Sequence, residues 1–132
     1  MNLRTFKHHK LWRDKMVNLV KAGTKAHWIS LNDLEFKKQL KLTLIEKAHE
    51  AQHADCKQSL MEELVDALEV IDAMCQAHGI SAQELMALKK KKRETSGGFD
   101  GKTFVTFVEY QKDSVGEKIC LENPDKYPEI KN

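Results

Sequence analysis

The sequence predicts an all-α fold, an antiparallel helical bundle with a short extended segment near its C-terminal end. Three observations carry that prediction. Apolar residues recur at three- and four-residue spacing over several long stretches. Those stretches are punctuated by helix start and stop signals, clearest in "SAQE" at 81–84 and in the glycines at 79 and 97–98. The composition agrees: 41% of the 132 residues are hydrophobic and 32% charged, the balance of a helix-rich domain large enough for one core.

The first candidate helix covers 7–22, "KHHKLWRDKMVNLVKA", where Leu11, Met16, Leu19 and Val20 repeat at helical spacing and Gly23 is the stop. The connection "TKAHWIS" follows. "SLNDLEFKKQLKLTLIEKAHEAQHA" then predicts a long helix, capped by Ser30 or Asn32, with acidic residues in its first turn. Its apolar stripe is Phe36, Leu40, Leu44, Ala51 and Ala54. After a break near "DCK", "QSLMEELVDALEVIDAMCQAHG" is the clearest helix. Leu60, Leu64, Ala67, Leu68, Ile71 and Cys75 make its apolar face, and Gly79 supplies the residue beyond its C-cap.

The capping box Ser81–Glu84 opens a fourth helix that runs through "LKKKKRE" and ends at "SGG". "KTFVTFVEY" is the one stretch with strand character, and "CLENPDKYPEIKN" is peripheral. Residues 1–110 are therefore expected to form the helical domain and residues 111–132 a C-terminal tail.

Charge and composition narrow the function. The 22 basic and 20 acidic residues nearly cancel, and no aromatic residues interleave with the basic run Lys89–Arg93, so a nucleic-acid partner is not expected. No apolar run is long enough to span a bilayer, and "MNLRTFKHHK" lacks the apolar core of a signal peptide. Cys56, Cys75 and Cys120 form no CxxC pair, which fits a reduced, cytoplasmic setting. A G-x-x-x-x-G-K-[ST] phosphate loop is absent, so any handling of triphosphate must centre on a metal.

Two consecutive helices each present a pair of carboxylates. Glu46 and Glu50 are four apart on the first, and Glu63 and Asp66 three apart on the second; either spacing puts both partners on one helix face. If the helices pack antiparallel, the pairs converge. Carboxylates crowded at a core edge repel one another and resist desolvation unless a cation joins them. Mg²⁺, a hard ion that takes one or two carboxylates, waters and substrate phosphates, suits them, with Mn²⁺ as a substitute. "HEAQH" at 49–53 also spells H-E-x-x-H, the zinc signature with His49 and His53 as ligands and Glu50 as base. A zinc site needs a third protein ligand, and the carboxylate motif claims Glu50 more strongly.

The pattern E-x-x-x-E, twelve residues, then E-x-x-D is similar to the E-E-x-x-E…E-x-x-D metal motif of the all-α, MazG-like NTP pyrophosphohydrolases. "KLWRDK" at 10–15 resembles the K-L-x-R-D-K opening of the house-cleaning, phosphoribosyl-ATP pyrophosphohydrolase-like branch of that group. "EELVDALEVIDA" at 62–73 resembles its second metal helix, and "GGF" at 97–99 its closing motif. The resemblance spans about residues 10–105 and matches four segments in order.

It implies a helical bundle assembled as a homodimer or higher oligomer. It also implies Mg²⁺-dependent cleavage of a nucleoside triphosphate to the monophosphate and pyrophosphate. Glu50, Glu63 and Asp66 carry over as metal ligands, and Arg13, Lys15, Lys92 and Arg93 are candidates to hold the triphosphate. One position departs from the motif: Lys47 stands where the family has its second glutamate. Either Lys47 pairs with Glu50, Glu63 or Asp66 and takes the metal's place, or Glu46 supplies the missing carboxylate and Lys47 turns outward to a phosphate. Glu46 and Lys47 are thus the residues on which activity turns. The rival expectation is a non-catalytic helical oligomer that binds nucleotide or a protein partner, and the third is the zinc hydrolase.

Overall fold

The computed structural model describes residues 3–18 and 23–131. All regular structure among the described residues is helical: α1 Asp33–Gln52, α2 Lys57–Ala77, α3 Ala82–Ser96 and α4 Val115–Glu122, preceded by one 3₁₀ turn at Met16–Asn18. The chain divides into two units, Met1–Thr95 and Ser96–Asn132.

Side-chain chemistry sets the helix ends. Asn32 caps α1 by accepting the Glu35 N–H at 2.9 Å, and Asp33 and Glu35 place negative charge in the first turn. Cys56 caps α2, its sulfur accepting from the Ser59 N–H while the Ser59 hydroxyl accepts from the Cys56 N–H. At the far end of α2, Gly79 adopts φ +66°, and the N–H groups of Ile80 and Gly79 reach the Cys75 and Gln76 carbonyls at 2.8 and 3.3 Å. That double closure is a Schellman turn, which glycine permits at no steric cost. Ser81 and Glu84 form a reciprocal capping box at the start of α3.

The four-residue link 53–56 folds α2 back along α1. Asp33, Phe36 and Lys37 stand across a shallow groove from Ala73, Gln76 and Ala77, while Lys47 meets Glu63 and Asp66 near the link, so the helices run antiparallel. Leu40 of α1 and Val70 of α2, 4% and 9% exposed, are the buried core residues of this hairpin. The α1 stripe is as expected, with Phe36, Leu44, Ala51 and Ala54 partly covered.

The outcome for α2 differs. Of the residues expected on its apolar face, Leu60, Leu64 and Leu68 are exposed, Leu68 by 61%, while Ala67, Ile71 and Cys75 are partly covered. The α1-facing side instead carries Glu63, Asp66 and Val70 with small alanines. α2 is thus apolar on its outer face and mixed polar and apolar on its inner one.

Two other expectations fail. Residues 7–13 form no helix; of the helix expected over 7–22 the described residues hold the Met16–Asn18 turn, and 19–22, with Leu19 and Val20, lie outside the described residues. His9 sits at φ +49°, which stops helix propagation, and Lys10 and Arg13 reach instead to α1 and α2. An isolated helix of this length is marginal, so long-range partners decide its conformation. "KTFVTFVEY" forms no strand, since no neighbouring strand exists among the described residues to pair its backbone. In the second unit, Ser114 caps α4, and the Tyr110 ring lies on Gly116 where a Cβ would clash.

If the α1–α2 hairpin rests on these two contacts, Leu40→Ala should destabilise the chain by about 2–3 kcal/mol and Val70→Ala by about 1–2 kcal/mol. Urea unfolding followed by helical circular dichroism measures both; a neutral Leu40→Ala would place the core elsewhere.

Candidate functional site

Three parts of the chain converge near the α1–α2 link. From α1 come Glu46, Lys47 and Glu50, from α2 come Glu63 and Asp66, and from the N-terminal segment come Lys10 and Arg13. At the centre is the Lys47 ammonium, 22% exposed. Its Nζ donates to Glu50 Oε2 at 3.0 Å and lies 3.3 Å from Asp66 Oδ2 and 4.0 Å from Glu63 Oε2. Arg13 Nη2 donates to the other Asp66 oxygen at 2.7 Å, and Lys10 Nζ donates to Glu46 Oε1 at 3.0 Å.

Helical phase explains the centre. Lys47 and Glu50 are one turn apart on the side of α1 that meets α2, and Glu63 and Asp66 are one turn apart on the facing side of α2. A lysine stem reaches across a helix interface; a shorter residue at 47 would leave the carboxylates facing one another.

The charges perturb one another in opposite directions. Burial pulls the Lys47 pKa down, but hydrogen bonds to Glu50 and Asp66, and their charges, outweigh it and raise it. A hydrogen bond with Glu63, then one from Lys47, lowers Glu50. Glu63 rises, first through its hydrogen bond to Glu50, then through burial and the Glu50 charge. Glu50 and Glu63 are thus shifted in opposite directions, Glu50 down and Glu63 up.

The expected site residues divide into two groups. Glu46, Lys47, Glu50, Glu63, Asp66 and Arg13 are brought together. Lys15 is exposed beside the 3₁₀ turn, and Lys92 and Arg93 lie exposed on α3. His49 and His53 are both exposed, and among the described residues no third ligand joins them, so the three-ligand requirement of a zinc site is not met. Lys10 is the participant that sequence reasoning missed, although it opens the same "KLWRDK" segment that contains Arg13.

The donors suit a hard divalent ion in kind. They are all carboxylate oxygens, and Glu63 Oε2 is a buried atom with no hydrogen-bond partner. As they stand, no three of them close up enough to hold an ion, because the Lys47 ammonium lies between them. Comparison with family models, with characterised proteins and with solved structures finds no match to this chain. The chemistry of the site therefore rests on its own geometry.

That geometry yields a pH dependence. The depressed Glu50 stabilises the fold above the ordinary carboxyl value of 4.5, and that contribution disappears as pH falls through its lowered pKa. The raised Glu63 acts oppositely: its contribution is complete below 4.5 and is lost as pH rises through its raised pKa. Glu63→Gln keeps a hydrogen bond to Glu50 and removes the charge. The metal-free variant should melt a few degrees above wild type at neutral pH, with the gap closing as pH falls below 4.5. Melting curves across that range measure it; a lower melting temperature at neutral pH would show that Glu63 is held as a stabilising charge.

Proposed function

We propose that this chain is a Mg²⁺-dependent nucleoside triphosphate pyrophosphohydrolase of the MazG-like kind, a house-cleaning enzyme of the cytoplasmic nucleotide pool. One observation carries the reading. Glu50, Glu63 and Asp66, the carboxylates that the motif marks as ligands, come from two antiparallel helices to surround one cation position.

Glu50, Glu63 and Asp66 would hold the ion, with Glu46 in place of the carboxylate that Lys47 replaces. A bound divalent ion neutralises phosphate charge and lowers the pKa of a water at the α-phosphorus. The chain's own residues supply the rest. The Arg13 guanidinium and the Lys47 ammonium orient phosphate oxygens, and a carboxylate of the cluster accepts the proton of the attacking water. A bond forms from the water oxygen to the α-phosphorus, the α–β anhydride bond breaks, and pyrophosphate leaves with the nucleoside monophosphate as the other product. Lys15, Lys92 and Arg93 are the further cations that the resemblance assigns to the triphosphate.

The active form in this reading is a homodimer or higher homo-oligomer. Leu60, Met61, Leu64, Val65 and Leu68 expose a continuous apolar strip on the outer face of α2, the kind of surface that a second copy covers about a two-fold axis. Among the described residues no helix is long and apolar enough to cross a membrane, so a bilayer-spanning role does not account for the strip. The pair Leu64→Glu and Leu68→Glu should convert the assembly to monomer in sedimentation velocity. A wild-type monomer at tens of micromolar would refute the oligomer.

The Lys47 ammonium favours a second reading, a non-catalytic oligomer that keeps lysine as a permanent counter-ion and binds nucleotide or a protein partner. Pyrophosphate release separates the two. Wild type, Lys47→Glu and Glu63→Ala would be assayed on ordinary and modified NTPs and dNTPs with Mg²⁺ or Mn²⁺. The enzyme reading expects release by wild type that falls at least about a hundredfold in Glu63→Ala. Silence from wild type with release by Lys47→Glu supports the non-catalytic reading.

A further inference from the structure

We propose that residues 103–110 of the second unit are an association strand, which pairs antiparallel with the same residues of a second copy of this chain. The inference goes beyond the hydrolase reading and uses a different part of the chain from the α2 strip.

Three observations carry it. First, the segment has the composition of a strand and none of a strand's bonds. Its sequence, "TFVTFVEY", is rich in β-branched and aromatic residues. A turn precedes it, with the Lys102 N–H on the Phe99 carbonyl at 3.1 Å, and another follows, with the Ser114 N–H on the Gln111 carbonyl at 3.2 Å. Between them, among the described residues, no backbone–backbone hydrogen bond engages 103–110. The segment therefore offers backbone donors and acceptors along its length, a template that native chains ordinarily pair, cover or blunt.

Second, its side chains are uncovered on both faces. Pleating would put Val105 and Phe107 on one side and Phe104 and Val108 on the other. All four are exposed, Phe104 by 87%. A strand apolar on both sides is ordinarily one buried on both sides. Third, the unit that holds the segment has no core of its own. Ser96–Asn132 contains no buried residue among those described, and it is shorter than the roughly 40 residues below which a chain usually needs a disulfide, a metal or a partner. It has one cysteine and no histidine, which removes the usual disulfide and zinc staples and leaves a partner chain.

The order of residues in the segment points to a second copy as that partner. Two antiparallel strands related by a two-fold axis keep the same face, so opposed residues are separated by an even number of positions. Centred on Thr106, the pairing sets Phe104 opposite the partner's Val108, Val105 opposite the partner's Phe107, and Thr106 opposite the partner's Thr106. Aromatic–β-branched and threonine–threonine pairs are the kinds that stabilise antiparallel sheets. Lys102, at the turn, falls opposite the partner's Tyr110, a cation against an aromatic ring. Centring on Val105 instead would set both phenylalanines against threonines. A two-stranded pair also needs a helix for support, and one is at hand, since the Tyr110 ring lies on Gly116 of α4.

The test uses the full chain. Leu64→Glu and Leu68→Glu are introduced together, so that the α2 strip does not contribute to association. Sedimentation velocity should find a dimer at tens of micromolar that dissociates on dilution. Amide exchange resolved by residue should show alternate amides of 103–110 slowed at least about tenfold in the dimer relative to the diluted chain, because one antiparallel neighbour engages every second residue. In the otherwise unaltered chain, Thr106→Cys should form a disulfide-linked homodimer through position 106 at least about tenfold faster than Val105→Cys does through position 105.

Monomer at every concentration, or exchange in 103–110 indifferent to dilution, overturns the proposal. Crosslinking at 105 as fast as at 106 overturns it as well. The crosslinking arm does not use the glutamate substitutions, so a poorly folded variant does not decide the outcome, and pyrophosphate release by wild type stands apart from all three results.

Discussion

A single ammonium holds the two long helices of this chain together where they would otherwise repel. Like charges a few ångströms apart at a helix interface repel, and solvent screens partly exposed groups only in part. Three carboxylates on two facing helix sides therefore oppose the packing unless a cation stands among them. Lys47 is that cation, and Arg13 and Lys10 extend the same logic outward to Asp66 and Glu46. The raised pKa of Glu63 and the lowered one of Glu50 record the repulsion that remains between the two carboxylates and the attraction of Lys47. The hairpin therefore depends on a charge arrangement at one end and on Leu40 and Val70 further along.

The N-terminal segment belongs to the same electrostatic account. Its periodicity is that of a helix, yet Lys10 and Arg13 bond to residues 36 and 53 positions away in the chain. A helix would put these two cations, three residues apart, on one face about one turn apart. The irregular backbone around His9 lets one reach α1 and the other α2. Local propensity yields here because a short helix has little stability of its own to set against two long-range, charge-assisted hydrogen bonds.

What the sequence made legible follows the same division between local and long-range causes. The ends of α1, α2 and α3 are written in adjacent residues: Asn32, the turn at Gly79, the Ser81–Glu84 box and Gly97 at φ +81°. The carboxylate cluster was legible too, since its members lie at helical spacings on consecutive helices, and pairing of Lys47 with Glu50, Glu63 or Asp66 was one of the two arrangements expected. The conformation of 7–13 and the failure of "KTFVTFVEY" to become a strand were not, because each depends on a partner that no local window contains. The exposure of Leu60, Leu64 and Leu68 was not legible for a related reason. Periodicity identifies the larger apolar strip without saying which neighbour covers it, and here α1 takes the face with the acids.

That choice places two kinds of surface back to back on α2. Its inner side carries Glu63, Asp66 and Val70 against α1, and its outer side carries Leu60, Leu64 and Leu68 in the open. Against α1 the helix sets its ion cluster, Val70 and small alanines, while its largest side chains remain uncovered. Covering the outer strip would press α2 onto α1 and fix the distance between Lys47 and the α2 carboxylates. The geometry of the cation position is then set jointly by the charge cluster and by whatever buries the opposite face. In a homo-oligomer, each copy would brace the other's site without contributing a residue to it.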